Sequence, residues 1–204
     1  GLIEGFLAGH GAAGPAVAQA FEEFAIEASI IKVGGTEALD YVLDENVQIH
    51  GGNGFVRDYS AERYYRDARV NRIFEGTNEI NRLLIPGMLV RRGLKGDLPL
   101  VAAAKALQDE LLSVPAAGAR LEDGAALEEE GRTVAACKKV ALMVLGTAMQ
   151  TYGQKLSDEQ EVLGYAADIL IDPFAADSAV LRARAAASHQ HADLHEAAAA
   201  AFVH

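Results

Sequence analysis

Cysteine occurs once in these 204 residues, at Cys137, so no internal disulfide framework can hold the fold. That lone thiol fits a reducing compartment and a cytoplasmic, soluble protein, and reads as a small buried apolar residue on a helix. Tryptophan is absent. Positive charge is scarce: 18 Lys and Arg stand against 29 Asp and Glu, a net charge of −11. An acidic chain repels phosphate backbones, so nucleic acid is not an expected partner. Long apolar runs are missing as well. The longest near the middle, Val140–Met149, falls short of the roughly 18 residues of a membrane span, and nothing reads as a signal peptide. Strand signals are also missing. The chain begins with Gly rather than Met, and is expected to be a piece of a longer protein.

What is present is helical pattern, from a chain that is 50% hydrophobic and 23% charged and therefore able to build a core. Pro15 suits a first helical turn, and Val17, Ala20, Phe21, Phe24, Ala25, Ala28 and Ile31 follow at helical spacing. Gly34-Gly35 is expected to break this run. The pattern resumes over 36–50, and Gly51-Gly52-Asn53-Gly54 should stop it. Ser60 is read as the cap of a helix running to about Phe74, and Thr77 or Asn78 as the cap of another reaching Arg92, which Pro86 should bend or shorten. Further patterns span about 99–113, 126–155, 159–188 and 191–202, with a loop over 113–124, a kink near Asp172 from Pro173, and an Ala-rich tail expected to fray. The fold class is all-α: an up-down helical bundle over 1–96, followed by a second helical region over 97–204. Charge supports the division, with 10 basic and 13 acidic residues in the first part and 8 and 16 in the second.

Four features could carry chemistry. Glu75 lies between Phe74 and Gly76, where apolar surroundings would raise its pKa toward general-base work. The helix that starts after it favours the anion instead, and a capping or surface acid is the plainer reading. The glycines at 51, 52 and 54 allow close backbone approach to a flat or anionic ligand, or merely end a helix. They do not form G-x-G-x-x-G after a strand, which excludes a dinucleotide-binding Rossmann turn. Glu62, Arg63, Arg66, Asp67, Arg69 and Arg72 read as a salt-bridged helix face, with anion binding by some of the arginines as the alternative. His191 and His195 are spaced to share a metal if helical, but no carboxylate partner is evident and no metal site is expected.

Together, Gln48-Ile-His-Gly-Gly-Asn-Gly-Phe55, Glu62-Arg63, Arg66-Asp67-Ala68-Arg69 and Ile73-Phe74-Glu75-Gly76-Thr77-Asn78-Glu79-Ile80-Asn81-Arg82 resemble the C-terminal helical domain of acyl-CoA dehydrogenases over about 20–92. The resemblance implies that Glu75 is the base removing the α-proton of an acyl-CoA thioester while hydride passes to the flavin of FAD. It implies that the Gly76 amide helps hold the thioester carbonyl. It makes Gln48, Ile49, His50, Gly51 and Gly52 the turn that touches the FAD of a neighbouring subunit, and Thr77, Asn78 and Glu79 a segment at its phosphate and adenosine parts. Acyl-CoA as substrate, an electron-transfer flavoprotein as acceptor and a homo-oligomer, dimer or tetramer, are implied in the same way.

Short- and medium-chain members of that family stop near position 95. The region after it is similar to the extension of very-long-chain members, although Pro173 is unusual there. Membrane binding is not carried over, because this region is acidic and shows no basic amphipathic face. The alternative is a non-catalytic helical assembly module, and the isolated 204 residues are expected to be inactive.

Overall fold

The computed structural model describes residues 2–10, 14–112 and 127–204, and among them helices and turns but no strand occur. The helices are α1 (Leu2–His10), α2 (Gly14–Glu23), α3 (Ala25–His50), α4 (Ala61–Arg69), α5 (Asn78–Lys95), α6 (Leu100–Leu112), α7 (Glu128–Tyr152), α8 (Gln160–Ala185) and α9 (Ala192–Val203). Single 3-10 turns occupy Gly51–Phe55, Val70–Arg72 and Gly153–Asp158. The all-α reading holds. The loop expected over 113–124 lies outside the described residues.

The chain divides into two compact units, Gly1–Ile85 and Pro86–His204. The division falls inside α5. A proline has no N–H to donate and crowds the preceding turn, yet α5 continues through Pro86 to Lys95. Pro86 neither ends nor shortens the helix, because its ring is fully buried and the packing it gains offsets the missing hydrogen bond.

In the first unit α3 is the axis. It packs against α2, α4 and the 3-10 turns at either end of α4. Its 26 residues run unbroken through Gly34 and Gly35, contrary to the expected break. Each glycine costs only about 1 kcal/mol relative to alanine in a helix interior, which a long packed helix outweighs. The chain turns instead at Phe24, where ψ moves to 17°. The core of this unit is Ala20, Ile26, Ile30, Val33, Ala61 and Ile85. Phe21 and Ile31, read at helical spacing, are exposed, as are Val42 and Ile49. Helix α3 has apolar residues on more than one side, and these neighbours cover only one.

In the second unit α7 packs on α6, α8 and α9, and α8 on α9. Leu127, Val134, Val180, Ala183 and Ala199 form its core cluster. The Ala-rich tail does not fray: α9 is continuous to Val203 and buries Ala199 against that cluster. Small side chains let the helix backbones approach closely, so alanine packs by fit where it has little area to hide. The α8 helix likewise continues through a buried Pro173. Cys137 is exposed on α7, so it faces away from the core where a buried residue was expected.

Candidate active site: an acid turn and a glycine turn

Helix α3 ends on glycine chemistry. Gly51 has φ +58° and ψ −139°, a conformation open to glycine almost alone, and its N–H bonds to the Gln48 carbonyl. Gly54 is buried against the last turn of α3, where a Cβ would come 2.5 Å from the Val47 carbonyl oxygen. The turn is therefore pressed flat on the helix that precedes it. Gln48, Ile49, His50, Gly51 and Gly52 are all exposed. The His50 Nδ1–H donates to the Asn46 carbonyl at 2.8 Å.

The acid turn follows the 3-10 turn Val70–Arg72. Two consecutive residues there are left-handed, Glu75 with φ +56° and Gly76 with φ +79°. A non-glycine residue in that region stores about 1–2 kcal/mol of strain, so the surroundings must hold it. They do so through the Gly76 carbonyl, which accepts from Lys32 Nζ at 2.7 Å and from Asn81 Nδ2 at 2.9 Å. A Cβ on Gly76 would lie 2.9 Å from Asn81 Nδ2. The next helix begins at once: Thr77 Oγ1 accepts from the Ile80 N–H at 3.2 Å, an N-cap bond. The carboxyl of Glu79 is held below the usual carboxylate range by its own backbone N–H, then by the Thr77 hydroxyl.

Glu75 itself is exposed, and Ile73 and Phe74 beside it are about half exposed. The expected shielding of the acid is not met within this chain, since the acid and both apolar neighbours are exposed. Asn78, expected among the cofactor contacts, is only 1% exposed. Its Oδ1 accepts from Lys32 Nζ at 2.6 Å, and its Nδ2 donates to Thr36 Oγ1 and Glu37 Oε1, both at 3.0 Å. That amide is fully committed to α3, which leaves only the backbone of Asn78 to face a ligand.

These bonds belong to a network that sequence reasoning missed. Lys32, Thr36, Glu37 and Asp40 project from α3 toward the acid turn. Glu37 takes a two-pronged bond from Arg82 at 2.7 and 2.8 Å, which, with Asn78, holds its carboxyl below the usual range against the opposing cost of burial. Arg72 reaches Asp40 at 2.8 Å, across to α3 rather than along its own helix face. The signal available in the sequence was the spacing of these polar residues, which puts all four on one side of a helix.

The structure does not bring the two turns together. Lys32 and Gln48 are sixteen residues apart on α3, roughly 24 Å along its axis. Between them lies a groove of about 770 Å³ whose walls include Phe55, Tyr65 and Ile73, the cations Arg57, Arg66 and Arg69, and the carboxylates Asp44 and Glu62. Aromatic faces and guanidinium groups in one groove suit a flat, anionic ligand. The fourth chemical feature dissolves: His191 caps α9 with φ +70° and is not helical, so the helical spacing required of a His191–His195 metal pair is absent. Among the described residues no cluster of metal-ligating side chains occurs, and no helix is long and apolar enough to cross a membrane.

Comparison with known proteins matches two family models, both described as acyl-CoA dehydrogenase, C-terminal domain, to residues 10–88 and 136–204. A probable acyl-CoA dehydrogenase of Bacillus subtilis is 47% identical over 184 residues, covering 88% of this chain and 30% of that protein. The very long-chain specific acyl-CoA dehydrogenase of Rattus norvegicus mitochondria is 52% identical over 67 residues, 33% of this chain and 10% of that one. The crystal structure of an acyl-CoA dehydrogenase complexed with FAD from Bacillus anthracis superposes with a TM-score of 0.91 at 42% identity, covering 99% of this chain and 35% of that chain. The chain thus spans about a third of the length of these two bacterial relatives. With the helical fold, the acid turn and the glycine turn in place, the chain belongs to the acyl-CoA dehydrogenase C-terminal domain family.

Proposed function

We propose that this chain is the C-terminal helical part of an FAD-dependent acyl-CoA dehydrogenase, and that Glu75 is the base that removes the α-proton of the acyl-CoA thioester. The observation that carries this reading is the acid turn. A strained left-handed glutamate costs stability, although a glycine would sit there without strain, and the next residue, Gly76, is tied down by a lysine and an asparagine just before a helix cap. Strain of that kind is kept where a side chain must point one way. The Gly76 N–H, beside the base, is available to hold the thioester carbonyl where negative charge develops.

The residues fit FAD on chemical grounds. In the exposed Gln48–Gly52 segment Gly51 and Gly52 offer backbone without side-chain bulk, and the arginines of the groove offer charge to a pyrophosphate. Thr77, Glu79 and the backbone of Asn78 would meet its phosphate and adenosine parts at the start of α5. When bound, the flavin supplies the hydride acceptor. Preference for long acyl chains, packing of residues 97–204 as a very-long-chain-type extension, an electron-transfer flavoprotein as acceptor and assembly as a dimer or tetramer are parts of the same proposal.

In the full-length protein, Glu75→Gln should lower α-proton exchange by about 10²–10⁴-fold while the protein stays yellow with bound FAD. Near-normal exchange in that variant would overturn the assignment. A second reading applies to the 204 residues alone, as a catalytically silent assembly module. The exposure of Glu75 favours it, because a base open to water has nothing to orient a carbon acid against. An absorbance scan after gel filtration distinguishes the two: flavin bands retained by the isolated chain would contradict the silent reading.

A further inference from the structure

We propose that Lys32 is a positioning residue for the reaction, acting through the acid turn; this rests on the reading of Glu75 as the base. Lys32 sits in the first third of the first unit's longest helix, 44 residues before the turn in sequence. Its ammonium bonds to the carbonyl of Gly76 at 2.7 Å and to the side chain of Asn78 at 2.6 Å, so it grips the residues on both sides of Thr77. With Asn81 donating to the same oxygen at 2.9 Å, the Gly76 carbonyl has two donors for its two lone pairs.

That double hold fixes the Gly76–Thr77 peptide plane. Once it is fixed, the left-handed φ of Gly76 sets the direction in which Glu75 leaves the backbone. Asn81 lies in the first turns of α5 and moves with the turn it bonds. Lys32 belongs to a different element, and so references the acid to α3. The ammonium also polarises the Gly76–Thr77 peptide, which strengthens the Thr77 N–H as a donor. Thr36 and Glu37 support the arrangement by holding the Asn78 amide in the orientation that presents its oxygen to Lys32.

The test uses the full-length FAD-containing protein and compares Lys32→Met, Glu75→Gln and the double variant. Lys32→Met should lower kcat for α-proton exchange by roughly 10–100-fold, the loss expected of a misplaced catalytic group. The KM for acyl-CoA and the FAD content should stay within about threefold, well below that loss. Amide hydrogen exchange should quicken in peptides covering 73–81 and not in the rest of the first unit. In the Glu75→Gln background the same change should cost almost nothing further, because it acts through the acid. Lys32→Gln, which keeps a donor but neither the reach nor the charge, should show the same pattern at smaller size and serves if the Met variant does not fold. Unchanged kcat, or a fall in kcat matched by lost FAD and by faster exchange throughout the unit, would overturn the proposal. Normal turnover in Glu75→Gln alone would instead sink the base reading, while exchange at 73–81 would still report whether Lys32 holds the turn.

Discussion

Glu75 and Gly76 share a backbone conformation and should respond to substitution with opposite signs. Glu75→Gly removes a side chain from a left-handed position and should stabilise the chain by about 1–2 kcal/mol, read as a higher Tm, while removing the proposed base. Gly76→Ala places a Cβ in the same region and within 2.9 Å of Asn81 Nδ2, and should destabilise by about 1–3 kcal/mol. If both substitutions lowered Tm, the turn would not be strained as described. Glu37 supplies a pH dependence. Its carboxyl is held below the ordinary value of 4.5 chiefly by Arg82, so its contribution is fully present above that value and is lost as pH falls through the depressed one. Stability should therefore decline below about pH 4.5, and Glu37→Gln should flatten that decline in urea melts recorded across pH. Partial exposure and salt screening keep the effect modest. At this scale the sequence was partly legible. The acid and its glycine stood out by their neighbours, whereas the part Lys32 plays was not evident, because a lysine on a helix looks solvated until its partner 44 residues away is known.

Helices were the most readable level. The starts and ends of α6, α7, α8 and α9 follow the apolar periodicity to within a few residues, since each is long enough for the 3.6-residue repeat to dominate. Glycine misled at Gly34-Gly35, where the packing of a long helix overrode local preference, and neither Pro86 nor Pro173 ends its helix. The hard stop at Gly51 held, because its φ of +58° is a backbone requirement rather than a preference. Ser60 occupies the expected cap position of α4, yet its hydroxyl makes no capping bond. Gly35 is exposed, and a Cβ there would meet nothing within 4 Å. Gly35→Ala should therefore stabilise α3 by about 1 kcal/mol, visible in thermal unfolding; a loss of stability would mean that the glycine serves a neighbour not seen within this chain.

At the scale of the whole chain, the first unit carries more apolar surface than it hides. Ile49 and Phe55 are 82% and 84% exposed, and Tyr41, Val42 and Ile31 are also open to solvent. Such surface seeks cover. The 204 residues produced alone should bind a hydrophobic dye such as anilinonaphthalene sulfonate and associate as concentration rises, with Ile49→Ser and Phe55→Ser weakening both. A monomeric chain with no dye binding would show that these residues need no partner surface.

From the sequence by itself came the helical class, most helix ends, and the two short motifs whose order and spacing mark the family. These depend on periodicity and on residue types with special backbone freedom, and both are local properties. Tertiary structure alone decided which side of α3 is core, that the Ala-rich tail packs, that Cys137 faces outward, and that the Gly76 carbonyl next to Glu75 is held by a lysine from α3. Each of those outcomes depends on which surfaces meet in space, and the free energy of a contact is absent from the chain until both of its sides have been brought together.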